Sequence, residues 1–142
     1  MLCRNPLPLP DRLDERLEPL HALWQGLRRA ESGMPFADDL ALSALAKLQG
    51  KMVLLQVFSG PERFRVEFAS AGLPALSQGS FLDEIAPGSE LSYLRAQASA
   101  TVEAGEPTLL RLTETSGREL SRVLLPLWGN GQVSLLLGAV AG

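Results

Sequence analysis

Cysteine and histidine are almost absent from this chain, and their scarcity excludes several kinds of chemistry. The sequence has one cysteine, Cys3, and one histidine, His21, among 142 residues. A lone cysteine cannot close an internal disulfide, and with one histidine it cannot complete the ligand set of a structural zinc site. We therefore expect no metal, and the low cysteine usage is typical of a reducing compartment such as the cytoplasm.

An excess of positive charge is also missing. Thirteen Lys and Arg stand against 16 Asp and Glu, which gives a net charge of −3. Proteins that bind nucleic acid usually present a basic stripe that displaces counterions from the phosphates. The densest basic spot is Arg28-Arg29, at the end of a predicted helix, where the helix dipole favours cations. No nucleic-acid partner is expected.

Long hydrophobic runs are absent too. The longest suggestive stretch, VSLLLGAVA at 133–141, has nine residues and contains Gly138. A membrane-spanning helix needs about 20 apolar residues, and the Gly129-Asn130-Gly131 turn before this run would break a helix. The start, MLCRNPLPLPDR, lacks the apolar core of a signal peptide. We therefore expect a protein that does not enter a membrane.

The remaining composition is typical of one globular domain, with 46% hydrophobic and 20% charged residues. Residues 1–12 contain Pro6, Pro8 and Pro10, which favour an extended arm or a docking peptide. Residues 13–50 are predicted to be helical, and 51–142 to form the core. The first helix is predicted over 13–30, between an N-cap at Asp11 and Gly33.

The first helix carries an apolar seam with spacings of 4, 3, 4 and 3 residues. Its members are Leu13, Leu17, Leu20, Trp24 and Leu27. Such a seam can pack on its own domain or form a homodimer interface, and the sequence leaves both open. A second helix is predicted from Asp38 to Leu48, with a buried stripe of Leu42, Leu45 and Leu48.

From residue 51 onward the hydrophobic period changes to that of strands. Strands are predicted at 51–58, 63–70, 107–114, 119–128 and 132–141, with a long helix from Ser89 to Ala104. In the strand at 63–70, Phe64, Val66 and Phe68 are assigned to one face. Ser80 and Asp83 suggest a capping box. The strands at 63–70 and 107–114 are predicted to be edges, because they alternate polar and apolar residues, whereas the others are apolar on both faces.

These features predict an α+β domain with an antiparallel sheet of order 2-1-5-4-3, helices inserted between strands 2 and 3, and an N-terminal helical extension that covers the second face. Asn130-Gly131 predicts a tight hairpin between the last two strands. That hairpin would place Pro126 opposite Leu135, close to the end of the neighbouring strand.

Besides the layout, one set of residues follows an order and spacing shared with a known family. Its members are Trp24, Leu27-Arg28, Pro35, Leu54-Leu55, Val57, Phe64-Arg65, Gly79, Leu82-Asp83-Glu84, Gly105, Pro107, Leu125-Pro126-Leu127 and Leu137-Gly138. Layout and residues together resemble the PAS sensory fold, and in particular a subfamily of single-domain PAS proteins common in alphaproteobacteria. The resemblance covers about residues 20–140 and departs from the family at Leu48-Gln49-Gly50, where a Leu-Pro pair is usual.

The resemblance raises the question of a cofactor. Haem in PAS domains commonly uses a histidine of the long helix, and residues 89–104 contain none. Flavin photosensors of this fold use a cysteine near the middle of the chain, and that region has none. No cofactor is therefore expected. Catalysis is not expected either, because no nucleophile has a base at a recognisable spacing.

Two functions remain. The first is a non-enzymatic, cytoplasmic PAS regulator in bacterial signal transduction, acting through protein contacts as a homodimer with an unidentified signalling partner. The second is a sensor module that binds an apolar or aromatic metabolite between the sheet and the long helix. The candidate pocket residues, which could instead form a filled core, are Phe68, Phe81, Tyr93, Leu94, Arg95 and Leu110.

Overall fold

A computed structural model describes residues 2–3, 7–10, 13–28, 33–48, 50–70, 73, 76–85, 91–113 and 116–141. The strands are β1 (Leu2–Cys3), β2 (Leu7–Pro8), β3 (Lys51–Phe58), β4 (Arg63–Ala69), β5 (Thr108–Thr113), β6 (Glu119–Gly129) and β7 (Gln132–Ala141). The helices are α1 (Glu18–Leu27), α2 (Leu42–Ala46) and α3 (Leu94–Ala104), with single 3-10 turns at Ala37–Asp39 and Leu82–Glu84.

The five long strands form an antiparallel sheet of spatial order β4-β3-β7-β6-β5. This is the predicted order 2-1-5-4-3, and the α+β fold class is confirmed. Most of β7 is buried, including the whole stretch from Leu136 to Ala141. The uncharged C-terminal run is therefore a central strand, as its composition indicated. Within the described residues, no helix is both long and apolar enough to cross a bilayer.

Both edges of this sheet are partly covered by other parts of the chain. Strands β1 and β2 pair with β5, so the strand predicted as an edge has a partner along part of its length. On the other side, the amide of Val66 donates to Ser80 O at 2.8 Å, and that of Gly79 donates to Val66 O at 2.7 Å. The covered edges leave fewer free backbone groups for pairing with another chain.

The sheet has an apolar core on each face. The α3 face includes Val53, Leu55, Val66, Leu124 and Leu136, packed against Leu94 and Ala98 of α3. The α1 face includes Met52, Leu54, Val123, Leu125 and Leu137, packed against Leu17, Leu20, Trp24 and Leu45. The N-terminal helical segment thus covers the second face within the same chain.

The helices are shorter than predicted. α1 begins at Glu18 rather than near Leu13, because Pro19 lacks an amide hydrogen and fits only in a first turn. Its predicted N-cap, Asp11, lies outside the described residues, and α1 ends at Leu27, before Gly33. The predicted helix over 38–48 is interrupted by extended backbone at Leu40 and Ala41. Leu42 is consequently 56% exposed, and its assignment to a buried stripe was wrong.

Phe68 lies on the opposite face from the one predicted. A β-bulge shifts the register so that Leu55 pairs with Val66 and Leu54 pairs with Phe68. The extra residue, Glu67, reverses the alternation. Phe64 and Val66 therefore face α3, whereas Phe68 packs with the α1-face cluster.

A second bulge, next to Trp128, moves Pro126 opposite Leu136 instead of Leu135. Strand β5 begins at Thr108, which pairs with Leu124, so no β5 residue lies beside Pro126. The carbonyl of Pro126 accepts a hydrogen bond from the indole nitrogen of Trp24 at 2.8 Å. Pro126 thus lies beyond the end of the β5–β6 ladder. Its hydrogen bond with Trp24 helps to hold α1 against the sheet.

Candidate functional site

A cavity of about 270 Å³ lies between the first turn of α3 and the segment 76–85. Its walls are apolar, with one acidic group, one basic group and one phenol among them. The lining residues are Leu76, Leu82, Asp83, Ile85, Leu91, Tyr93, Leu94 and Arg95. Three of the six predicted pocket residues, Tyr93, Leu94 and Arg95, therefore come together. We call this space the α3 cavity.

The backbone at Tyr93 shapes the mouth of this cavity. Tyr93 adopts a left-handed conformation with φ of 62°, and its carbonyl accepts the amide hydrogen of Gln97 at 3.0 Å. Because of this conformation the helix begins only at Leu94, later than the predicted start at Ser89, which lies outside the described residues. A bulky residue with positive φ is strained, and such residues cluster at ligand sites.

Asp83 at the rim is already engaged. Its two carboxylate oxygens accept hydrogen bonds from Arg63 at 2.9 and 3.0 Å. These bonds are the main cause that lowers the pKa of Asp83, so it is ionised at neutral pH. The predicted capping box is wrong, because the carboxylate of Glu84, not Asp83, accepts the N-terminal amide, that of Phe81, at 3.1 Å.

The other three predicted pocket residues lie elsewhere. The Phe81 ring packs against the Arg63 guanidinium at 3.7 Å and the Phe58 ring at 5.6 Å. Phe68 faces α1 because of the bulge. Leu110 packs with Leu112 and Leu120 in a separate cluster. These three residues therefore do not line the α3 cavity. Alternation along a strand did not reveal the bulge or the position of the helix.

A buried polar network, which sequence reasoning missed, joins α3 to the sheet. Arg122 is 1% exposed, and its Nε donates to Gln97 Oε1 at 2.7 Å. The Gln97 amide nitrogen donates to Thr108 Oγ1 at 3.2 Å and to Arg122 O at 3.0 Å. Thr101 Oγ1 lies 2.7 Å from Thr108 Oγ1 and donates to Gln97 O at 2.8 Å. The spacing of Gln97 and Thr101 on the buried side of the helix was the signal that could have revealed it.

This network also reaches the α3 cavity. The Nη2 of Arg122 donates to the carbonyl of Ser92 at 2.9 Å, one residue before Tyr93. Arg122 therefore ties the turn that begins α3 to the centre of the sheet. The arrangement stabilises the position of Tyr93 and Arg95.

The predicted dimer seam packs on its own chain. Leu17, Leu20 and Trp24 are buried against the α1 face, and Leu13 packs partly buried beside them. Leu27 is half-buried. A homodimer that used this seam would have to displace Leu17, Leu20 and Trp24 from the core of the monomer.

A groove of about 680 Å³ lies beside α1 and the C-terminal end of α3. His21 stacks on Trp24 with 6.1 Å between ring centroids, and the Arg28 guanidinium lies 5.4 Å from the Trp24 ring. Burial is the main cause that lowers the pKa of His21. The described residues contain no group of three His, Cys, Asp or Glu placed to hold a metal.

Comparisons with protein-family models, curated proteins and solved structures found no match to this chain. The geometry of the site therefore has to support any functional proposal. The described cavity walls combine apolar surface with an arginine and a phenol, which suits binding of a small organic molecule.

Proposed function

We propose that this protein is a non-enzymatic sensory module of the PAS type that binds a small, largely apolar molecule in the α3 cavity. The observation that supports it is the convergence of Tyr93, Leu94 and Arg95 over an apolar wall. The sheet order and the helices between its second and third strands are what the PAS resemblance implies. A cytoplasmic role in bacterial signal transduction belongs to the same proposal.

The cavity limits the size of the ligand. Ligand pockets usually measure about 300–1,000 Å³, and the α3 cavity has about 270 Å³. Taking about 30 Å³ for each water-sized group, it accommodates roughly nine such groups. A short aliphatic chain or a single aromatic ring with a substituent meets this limit.

Native mass spectrometry and thermal unfolding with a panel of small apolar compounds test the proposal. We expect a co-purifying mass or a ligand that raises the unfolding temperature, because a ligand at about 100 times its Kd contributes about 2.7 kcal/mol. Leu91→Trp should fill the cavity and abolish the shift, whereas Leu42→Trp, at an exposed position of α2, should retain it.

Leu82→Phe provides a second filling variant should Leu91→Trp fail to fold, and far-UV circular dichroism checks the fold of each. A wild-type protein without bound mass that no compound stabilises would contradict ligand binding. An equal shift in wild type and in a folded cavity-filling variant would place the ligand elsewhere.

A second proposal is regulation through protein contacts, including a homodimer and a signalling partner. It is supported by two large aromatic residues, Phe36 and Trp128, which are 42% and 37% exposed. They form a parallel bridge, and the Trp128 amide donates to Pro35 O at 2.8 Å. Aromatic residues are enriched at protein interfaces relative to the rest of the surface.

Light scattering over a range of concentrations tests this second proposal. We expect a dimer that Trp128→Ser weakens and Leu42→Ser, an exposed apolar control, leaves intact. A wild-type monomer at every concentration would refute the homodimer.

A further inference from the structure

The two opposite charges that line the α3 cavity differ in how they are used. Asp83 accepts two hydrogen bonds from Arg63, one on each carboxylate oxygen. A cationic ligand would have to compete with this bidentate ion pair, in which two guanidinium nitrogens face the two carboxylate oxygens. Asp83 is therefore a poor anchor for a positively charged group.

Arg95 differs from Asp83, because no hydrogen bond with a described residue occupies its guanidinium. Its side chain lines the cavity in the first turn of α3 and is largely exposed. Across the part of the chain that the structure describes, it makes no hydrogen bond or ion pair. After the Arg63 hydrogen bonds, the charge of Arg95 also contributes to the lowered pKa of Asp83. A guanidinium carries five donors in a planar fork that matches a carboxylate. This cation can receive an anionic group without breaking an existing contact.

Apart from Asp83, whose charge is paired with Arg63, the surroundings of Arg95 favour an anionic group. No side chain caps the first turn of α3, and that turn contains no acidic residue. Tyr93, which also lines the cavity, offers a phenolic hydroxyl that can donate a hydrogen bond. Below these groups the wall is formed by Leu76, Leu82, Ile85, Leu91 and Leu94.

We propose that the ligand is a small amphiphilic carboxylate, whose charged head binds Arg95 at the rim while its apolar body enters the cavity. This inference rests on the proposed ligand-binding function. The apolar body contributes binding through burial, and the head determines specificity, because a neutral or cationic analogue cannot form the charge-assisted pair.

Isothermal titration calorimetry with a matched series of eight-carbon probes tests the inference. Octanoate carries the carboxylate, octanol is its neutral analogue, and octylamine carries the opposite charge. We expect octanoate to bind about tenfold to a hundredfold more tightly than octylamine, since a hydrogen bond to a charged group contributes about that factor.

Arg95→Gln should weaken octanoate by at least about tenfold and leave octanol unchanged. The control, Arg111→Gln, replaces an exposed arginine on β5 and should leave both affinities unchanged. Arg95 lies at the surface, so its replacement should not affect folding.

The outcomes separate the two proposals. Equal binding of octanoate and octanol, with neither affected by Arg95→Gln, would overturn the carboxylate inference and leave the ligand-binding function standing. Tighter binding of octylamine would overturn it as well. Failure of all three probes, together with no stabilisation by other apolar compounds, would overturn both.

Discussion

Replacement of Arg122 by methionine should destabilise the fold, although the two side chains are similar in length. Arg122 is almost completely buried and donates to Gln97 Oε1 at 2.7 Å and to Ser92 O at 2.9 Å. Methionine would remove these donors and leave both acceptors without them. A buried polar group that loses its partner costs about 1–3 kcal/mol.

Two opposing effects determine the net change. Loss of the donor to the buried Gln97 Oε1 costs about 1–3 kcal/mol, and loss of the part-buried bond to Ser92 O costs less than that. Methionine offsets part of this cost, because it is buried without the desolvation penalty of a charge. We expect Arg122→Met to lower the free energy of unfolding by about 1–3 kcal/mol.

Urea denaturation followed by circular dichroism measures this difference. Arg111→Met, an exposed arginine replaced on the neighbouring strand, is the matched control and should change stability by less than about 0.5 kcal/mol. The double variant Arg122→Met with Gln97→Met should lose less than the sum of the single variants, because the second substitution removes the acceptor that the first had orphaned.

Two results would refute this account of Arg122. Equal stability of Arg122→Met and Arg111→Met would mean that the network contributes nothing beyond apolar packing. Strict additivity of the two core substitutions would mean that Arg122 and Gln97 stabilise the fold independently.

Two further predictions concern packing and pH. Gly138→Ala should lower the free energy of unfolding by about 1–3 kcal/mol in the same urea assay. The reason is that the added Cβ would lie 2.7 Å from Leu124 Cδ2 and 3.0 Å from Val53 Cγ1. In the control, Gly26→Ala on α1, the added Cβ has no atom within 4 Å and should not destabilise the fold. Because burial lowers the pKa of His21 in the folded state, the unfolded chain binds more protons below about pH 6.5, and stability is lost as the pH falls. His21→Gln should reduce the pH dependence of the free energy of unfolding below about pH 6.5. An unchanged pH dependence would contradict its attribution to His21.

Strand positions were predictable because they follow from local turn residues and from the pattern of apolar residues along the chain. The hairpin signal at Asn130-Gly131 and the uncharged run before the C-terminus placed β6 and β7 within one residue of their observed bounds. Gly105 ends α3 with φ of 64°, as its place in the sequence indicated. Helix starts were less predictable, because the left-handed conformation of Tyr93 and the extended conformation of Leu40 cannot be inferred from their residue types.

The site was predicted in part for a related physical reason. Tyr93, Leu94 and Arg95 are consecutive, so a single turn brings them to the cavity together. Phe68 required knowledge of a bulge, which is a property of two paired strands. The Arg122 network required knowledge of which face of β6 meets α3, because an arginine within a strand otherwise indicates the solvent side.

The sequence by itself determined the class of the fold and the order of its strands, because hydrophobic periodicity and turn residues act over a few neighbours. Only the tertiary structure decided where the leucine and tryptophan seam of α1 is buried. Burial of an apolar seam is favourable against its own sheet and against a second subunit, because the hydrophobic effect is non-directional. In the folded chain α1 lies next to an apolar face of its own sheet, and the seam packs against that face.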